Sequence, residues 1–179
     1  MPLESRNLAG ADLEESSRRS LTVIAGSMAD VVTQAGGWLC DRARAGWDVN
    51  VRVADRRDGR PLAILGAASL DTDAASILDG TPRDGEVAVS AALLKTDARI
   101  RDDVLGLLKR GGTEVTVWGD DWPIELGRAV APVEHRVSAA ARAFKAHAMR
   151  AADVPHDSVA PTETLYALGA QAVRPLYSV

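Results

Sequence analysis

Cysteine, phenylalanine and lysine are scarce in this chain of 179 residues. Cys40 is the only cysteine, Phe144 the only phenylalanine, and Lys95, Lys109 and Lys145 the only lysines. A lone cysteine excludes an intrachain disulfide and a cysteine-built zinc site. Aromatics make up 4% of the residues, so the core must be assembled mostly from Val, Leu, Ile and Ala. No apolar run approaches the roughly 20 residues that span a bilayer. The N-terminus lacks the basic-then-apolar pattern of a secretory signal. Together these absences predict a soluble, cytoplasmic protein with no membrane partner. The net charge is −4 and no block of basic residues stands apart from acidic ones. Nucleic-acid modules draw their affinity from neutralised phosphates and show a basic stripe, so no nucleic-acid partner is predicted. The Walker loop, the G-x-G-x-x-G fingerprint and the H-x-x-x-H pair are also missing. No cofactor and no metal site is predicted.

What is present is a unit that occurs twice. Residues 44–51 read R-A-G-W-D-V-N-V and residues 110–117 read R-G-G-T-E-V-T-V. In each, the end of an apolar helical pattern meets a glycine and then alternating valines, which is a helix closing on a glycine cap and entering a strand. Helices alternate with strands, which is the signature of an α/β fold. The segments after the two copies differ, so this is one local solution used twice rather than an internal repeat.

Along the chain, residues 1–19 read as a polar leader. Leu21–Ala25 reads as a buried first strand in preference to a helix start. Ser27 caps a helix whose apolar positions Val31, Ala35, Trp38, Leu39 and Ala43 keep helical spacing, with Asp30 in the first turn. Gly36-Gly37 interrupts that helix, either to admit a close neighbour or to break it in two. Val49, Val51 and Val53 form a strand near a sheet edge. Asp58-Gly59 signals a hairpin into an apolar strand over Leu62–Leu65. Residues 71–78 fit a short helix. Val87 and Val89 mark a strand, with Ser90–Leu94 ambiguous. Asp97–Arg110 is the clearest helix, and Val115 and Val117 begin the next strand. Ser138 caps an alanine-rich helix to Ala152, with Phe144 and Ala148 inward, His147 near that apolar face, and Arg142, Lys145 and Arg150 outward. A short helix is expected after Thr162, through Leu165 and Leu168. The sum is a three-layer single α/β domain over residues 20–153. Its mixed, mostly parallel sheet of about five strands is flanked by helices, Rossmann-like or flavodoxin-like in outline. Residues 154–179 form a tail.

Four groups are candidates for chemistry. Gly26-Ser27 lies where a strand hands over to a helix, a geometry that can hold an anion, although Ser27 also serves as a plain cap. W-G-D-D-W-P at 118–123 follows a strand, and ligands bind beyond the carboxyl ends of strands in open α/β sheets. There Asp120 and Asp121 offer carboxylates, while Trp118 and Trp122 either flank a pocket or close the core. His135 would complete an acid–base pair if it met Asp120 or Asp121. Cys40, deep in its helix, reads as an inert buried thiol. Because recognisable catalytic signatures are missing, the sequence favours a non-catalytic protein-interaction or regulatory module. Its partner would be another protein or a second copy, forming a homodimer through the 138–152 helix or the apolar C-terminus. The alternative is an enzyme or small-ligand-binding protein with its site at the strand ends near 118–123.

Overall fold

The structure, a computed structural model, describes residues 18–55, 58–70, 85–120, 123–126 and 132–168. In chain order its elements are β1 (Ser20–Ala25), α1 (Met28–Arg44), β2 (Asp48–Val53), α2 (Arg60–Ile64) and β3 (Ala68–Ser69). Then come β4 (Glu86–Ser90), α3 (Ala91–Thr96), α4 (Ala98–Arg110), β5 (Glu114–Trp118) and a 3-10 turn (Ile124–Leu126). The last three are β6 (Val133–Arg136), α5 (Ala139–Ala151) and β7 (Thr162–Leu168). They make one sheet in the order β3-β2-β1-β4-β5-β7-β6. The first five strands are mutually parallel, β7 runs antiparallel to β5, and β6 antiparallel to β7.

The burial of each strand follows its place in that order. β1 lies inside the sheet and is buried from Leu21 to Ala25 without alternation, as a strand covered on both faces requires. β2, next to the short edge strand β3, alternates and buries Val49, Val51 and Val53. One face of the sheet packs Leu21, Val23, Val51, Trp118 and Leu165 against α1, α2 and α5. The other packs Ile24, Val87, Val89, Val115 and Leu168 against α3 and α4. This is a three-layer α/β domain with a mixed, mostly parallel sheet. It has seven strands rather than about five. No helix among the described residues is long and apolar enough to cross a membrane.

The twice-used unit is as read. α1 gives way through Gly46 (φ 88°) to β2, and α4 through Gly111 and Gly112 (φ 68° and 87°) to β5. Both turns demand the left-handed backbone that only glycine adopts cheaply.

Four readings are corrected. Leu62–Leu65 is not a strand. Pro61 stands in the first turn of α2, where its fixed φ and missing N–H are harmless, and Asp58 Oδ1 accepts from the Arg60 amide at 3.0 Å. Leu62 and Leu65, three apart, are buried on one face of that turn. The Asp58-Gly59 hairpin is therefore absent, and the chain continues to the parallel strand β3. Thr162–Leu168 is not a helix but β7, seated between β5 and β6, because the threonines and Tyr166 favour a pleated surface. In α5 the inward stripe is Ala141, Lys145, Ala148 and Met149, while Phe144 is 40% exposed and His147 is exposed. Lys145, expected outward, is buried. The helix proposed over 71–78, the leader before Arg18 and the tail beyond Leu168 lie outside the described residues.

Candidate functional site

In an open parallel sheet the connections on either side of the first strand diverge, and a crevice opens at the carboxyl edge where they part. Here that point lies between β1 and β4. It is largely filled. α3 starts directly after β4 with no intervening loop, and the Leu93 side chain lies 3.7 Å from where a Cβ on Gly26 would stand. The open volume is displaced along the same edge. A cleft of about 610 Å³ lies beyond β1 and β2, lined by Ser27, Met28, Ala29, Asp55, Asp58, Pro61 and Ala151 to Val154. Its walls are the first turn of α1, the loop after β2, and the end of α5.

The chemistry of this cleft is carboxylate-rich. Asp55, Asp58 and Asp153 line it, and no lysine or arginine does so among the described residues. Asp55 Oδ1 accepts from the Met28 amide at 3.0 Å. Ser27 Oγ accepts from the Asp30 amide at 3.1 Å, and Ser27 O from the Val31 amide at 3.3 Å. The positive end of the α1 dipole is thus already met by a carboxylate. Asp153 adopts φ 58°, a left-handed conformation that aspartate tolerates better than most residues, as α5 ends.

The candidates read from sequence separate. Gly26 and Ser27 stand at the carboxyl end of β1. Ser27 is both the helix cap and part of the cleft wall. Trp118 closes the core: it is fully buried and its Nε1 donates to Asp30 Oδ2 at 3.1 Å. Asp120 lies at a second, smaller cavity of about 280 Å³ with Gln34, Gly119, Lys145, Glu163 and Tyr166. Asp121 and Trp122 are outside the described residues. His135 does not pair with Asp120. It lies on the edge strand β6, and its Nε2 meets Asp41 Oδ2 of α1 at 3.0 Å. Asp41 also accepts from the Ser138 hydroxyl at 2.6 Å and the Ser138 amide at 3.1 Å. Burial pushes the Asp41 carboxyl up, but the hydrogen bonds from Ser138 and His135 together hold it below its ordinary value. The hydroxyl of Ser138 faces Asp41 rather than the imidazole, so the cluster caps α5 and is no nucleophilic triad. Cys40 is buried, and that burial raises its thiol pKa, as expected of an inert cysteine. Among the described residues no three His, Cys, Asp or Glu side chains converge on a point that could hold a metal.

Two groups escaped the sequence reading. Lys145 and Glu163 form an ion pair of 2.6 Å with side chains 3% and 2% exposed. Glu163 Oε1 and Oε2 accept from the Gly37 and Trp38 amides at 2.8 and 2.7 Å, and Lys145 Nζ donates to the Thr33 carbonyl at 2.5 Å. The Gly36-Gly37 interruption was the available signal. A Cβ on Gly37 would stand 2.6 and 2.8 Å from the Val137 methyls and 2.9 Å from Glu163 Oε1. The glycine admits a close neighbour, and the helix runs on unbroken.

No family model matches the chain, and no curated protein matches it at a significant level. Solved structures do. One is the crystal structure of Dbv21, a deacetylase of the A40926 pseudoaglycone. It is 17% identical over 84% of this chain and 97% of that one, with a TM-score of 0.58. The zinc-inhibited form of the teicoplanin deacetylase Orf2 is 14% identical over 89% of this chain and 100% of that one, with a TM-score of 0.59. A deacetylase–teicoplanin complex is 15% identical over 84% and 98%, with a TM-score of 0.54. The fold is shared with deacetylases. This overturns the expectation of a non-catalytic interaction module. That expectation rested on missing local motifs, and in an α/β fold site residues come from separate strand ends, which leave no contiguous signature. Of the α5 alanines, Ala141 and Ala148 are buried in the core.

Proposed function

We propose that this protein binds and acts on a small molecule rich in hydroxyl or amine groups, in the cleft beyond β1 and β2. The cleft itself carries the reading. Its volume of about 610 Å³ falls within the roughly 300–1,000 Å³ of small-molecule sites. Its lining offers acceptors in Asp55, Asp58, Asp153 and Ser27, which favours a ligand that donates hydrogen bonds or carries positive charge. The deacetylase fold of the neighbouring structures supports an amine-bearing substrate or product. Asp55 is the residue proposed to hold it, at the end of β2 and braced by the Met28 amide.

The test uses D-glucosamine, a compact molecule with several hydroxyls and one ammonium, in titration calorimetry. With its dozen heavy atoms at about 0.3 kcal/mol each, a dissociation constant of roughly 2 mM is expected. Asp55→Asn keeps the shape and an acceptor for Met28 but removes the charge, and is expected to weaken binding about tenfold. Acetate release from N-acetyl-D-glucosamine, followed in parallel, would make the activity deacetylation. No saturable heat with either sugar would sink the proposal.

A further inference from the structure

The buried Lys145–Glu163 pair sits at the junction of three elements. Lys145 comes from α5 and Glu163 from β7, and both hold backbone groups of α1. Gly37 is the residue whose amide would ordinarily go to the carbonyl four positions back. That carbonyl is Thr33's, and it meets the Lys145 ammonium while the Gly37 amide meets Glu163. The pair thus grips one turn of α1 through three hydrogen bonds to its backbone, and those bonds have direction.

Apart from the Asp41 hydrogen bonds to Ser138 at the start of α5, the rest of the α1–α5 contact has little direction. Besides Lys145 and Met149, the buried stripe of α5 holds only Ala141 and Ala148, and α1 has Ala35, Gly36 and Gly37, with the Lys145 stem lying 3.6 Å from a Cβ position on Gly36. Helices fix their mutual position by interlocking ridges and grooves of side chains, and small residues make shallow ones. The register between α1 and α5 is set by the pair together with the Asp41–Ser138 hydrogen bonds at the start of α5, and along both helices the pair is the directed contact nearer the cleft. The start of α1, Ser27 to Ala29, and the end of α5, Ala151 to Val154, both line the cleft, so the seating of one helix on the other shapes it.

We infer that Lys145 and Glu163 are positioning residues that set the width of the cleft by locking α5 to α1. The inference rests on the cleft being the ligand site. Its primary test needs no ligand. Hydrogen exchange is measured on the full-length protein and on Lys145→Met, Glu163→Gln and the double variant. Lys145→Met is expected to speed exchange about tenfold at residues 27–29 and 152–154 while the β4 and β5 amides keep their protection. The double variant leaves no unpaired buried charge, so its thermal midpoint recovers toward wild type, while the cleft walls stay fast to exchange. A purely structural role predicts that the double variant restores both. Faster exchange confined to residues 33–38, or spread over the whole sheet, overturns the inference. Should Lys145→Met not fold, the double variant and Glu163→Gln carry the same readout. If wild-type protein ignores both sugars but the exchange pattern appears, the proposed function fails and the lock stands. If the sugar binds and the pattern is absent, the lock fails and the function stands.

Discussion

Gly36 and Gly37 are neighbours in one helix and face different demands. In an ordinary helix interior either glycine costs about 1 kcal/mol relative to alanine. At Gly36 an added methyl would meet Leu65 and Lys145 at 3.5 and 3.6 Å, which is ordinary contact. Gly36→Ala is expected to be neutral or stabilising by up to about 1 kcal/mol. At Gly37 the same methyl meets Val137 and Glu163 below 3.0 Å. Overpacking of this kind costs about 1–3 kcal/mol and would also push Glu163 off its amides, so Gly37→Ala is expected to lose about 2 kcal/mol net. Urea unfolding of the two variants measures both, and equal effects would remove the distinction. The same comparison shows what the sequence can carry. Two glycines in a helix announced a close approach. They could not say that the visitor was a glutamate 126 residues away, bringing a lysine that the helical pattern had assigned to solvent. Lys145 occupies an apolar stripe at positions 141, 145, 148 and 149. A charged residue in such a stripe is read as outward unless its partner is known, because unpaired burial is so costly.

Elements were legible where their ends were chemically marked. Ser27, Asp97 and Ser138 each cap a helix through their own side chain, and each was visible as a cap or a first-turn acid. Two elements without such marks were misread. α2 is five residues long, and β7 has leucines at a spacing that suits either helix or strand. Their type is decided by tertiary neighbours. Asp41 adds a cap that no local pattern shows, since it holds the start of α5 from the far side of α1. Asp41→Ala removes acceptors from the Ser138 hydroxyl and amide and is expected to cost about 1–2 kcal/mol. The sign of the pH dependence follows from the lowered carboxyl. Because the folded state favours the ionised form, the contribution is complete above the ordinary aspartate value. It is lost as pH falls below that value and through the folded one. Stability of wild type and Asp41→Ala, followed by urea unfolding from about pH 6 to pH 3, should therefore converge at the acid end. A gap that stays constant over this range would show that the carboxylate charge plays no part.

At the scale of the whole molecule, the alternation of helix and strand was enough to give a three-layer α/β domain, but not where that domain ends. Residues 154–179 read as a tail because Pro155 and Pro161 punctuate them and no strong helix follows. The chain instead returns to place β7 between β5 and β6, antiparallel to both. A protein shortened to end at Asp153 would lose the backbone partner of both strands. It would also lose Leu165 and Leu168, buried at 5% and 4% exposure and each contributing about 1.5–3 kcal/mol. Glu163 would go too, leaving the Lys145 ammonium buried without its carboxylate, a loss of about 3–5 kcal/mol by analogy with other broken buried pairs. These losses together rival the about 5–15 kcal/mol that holds a typical domain folded. The shortened protein is expected to show no cooperative thermal transition by circular dichroism or calorimetry, whereas the full chain shows one. A sharp transition within a few degrees of the full chain, on the order of 1 kcal/mol of lost stability, would mean that β7 and its glutamate are dispensable to the fold. The same result would weaken the case that Glu163 sets the geometry of the cleft, because a lock that can be removed without loss holds nothing in place.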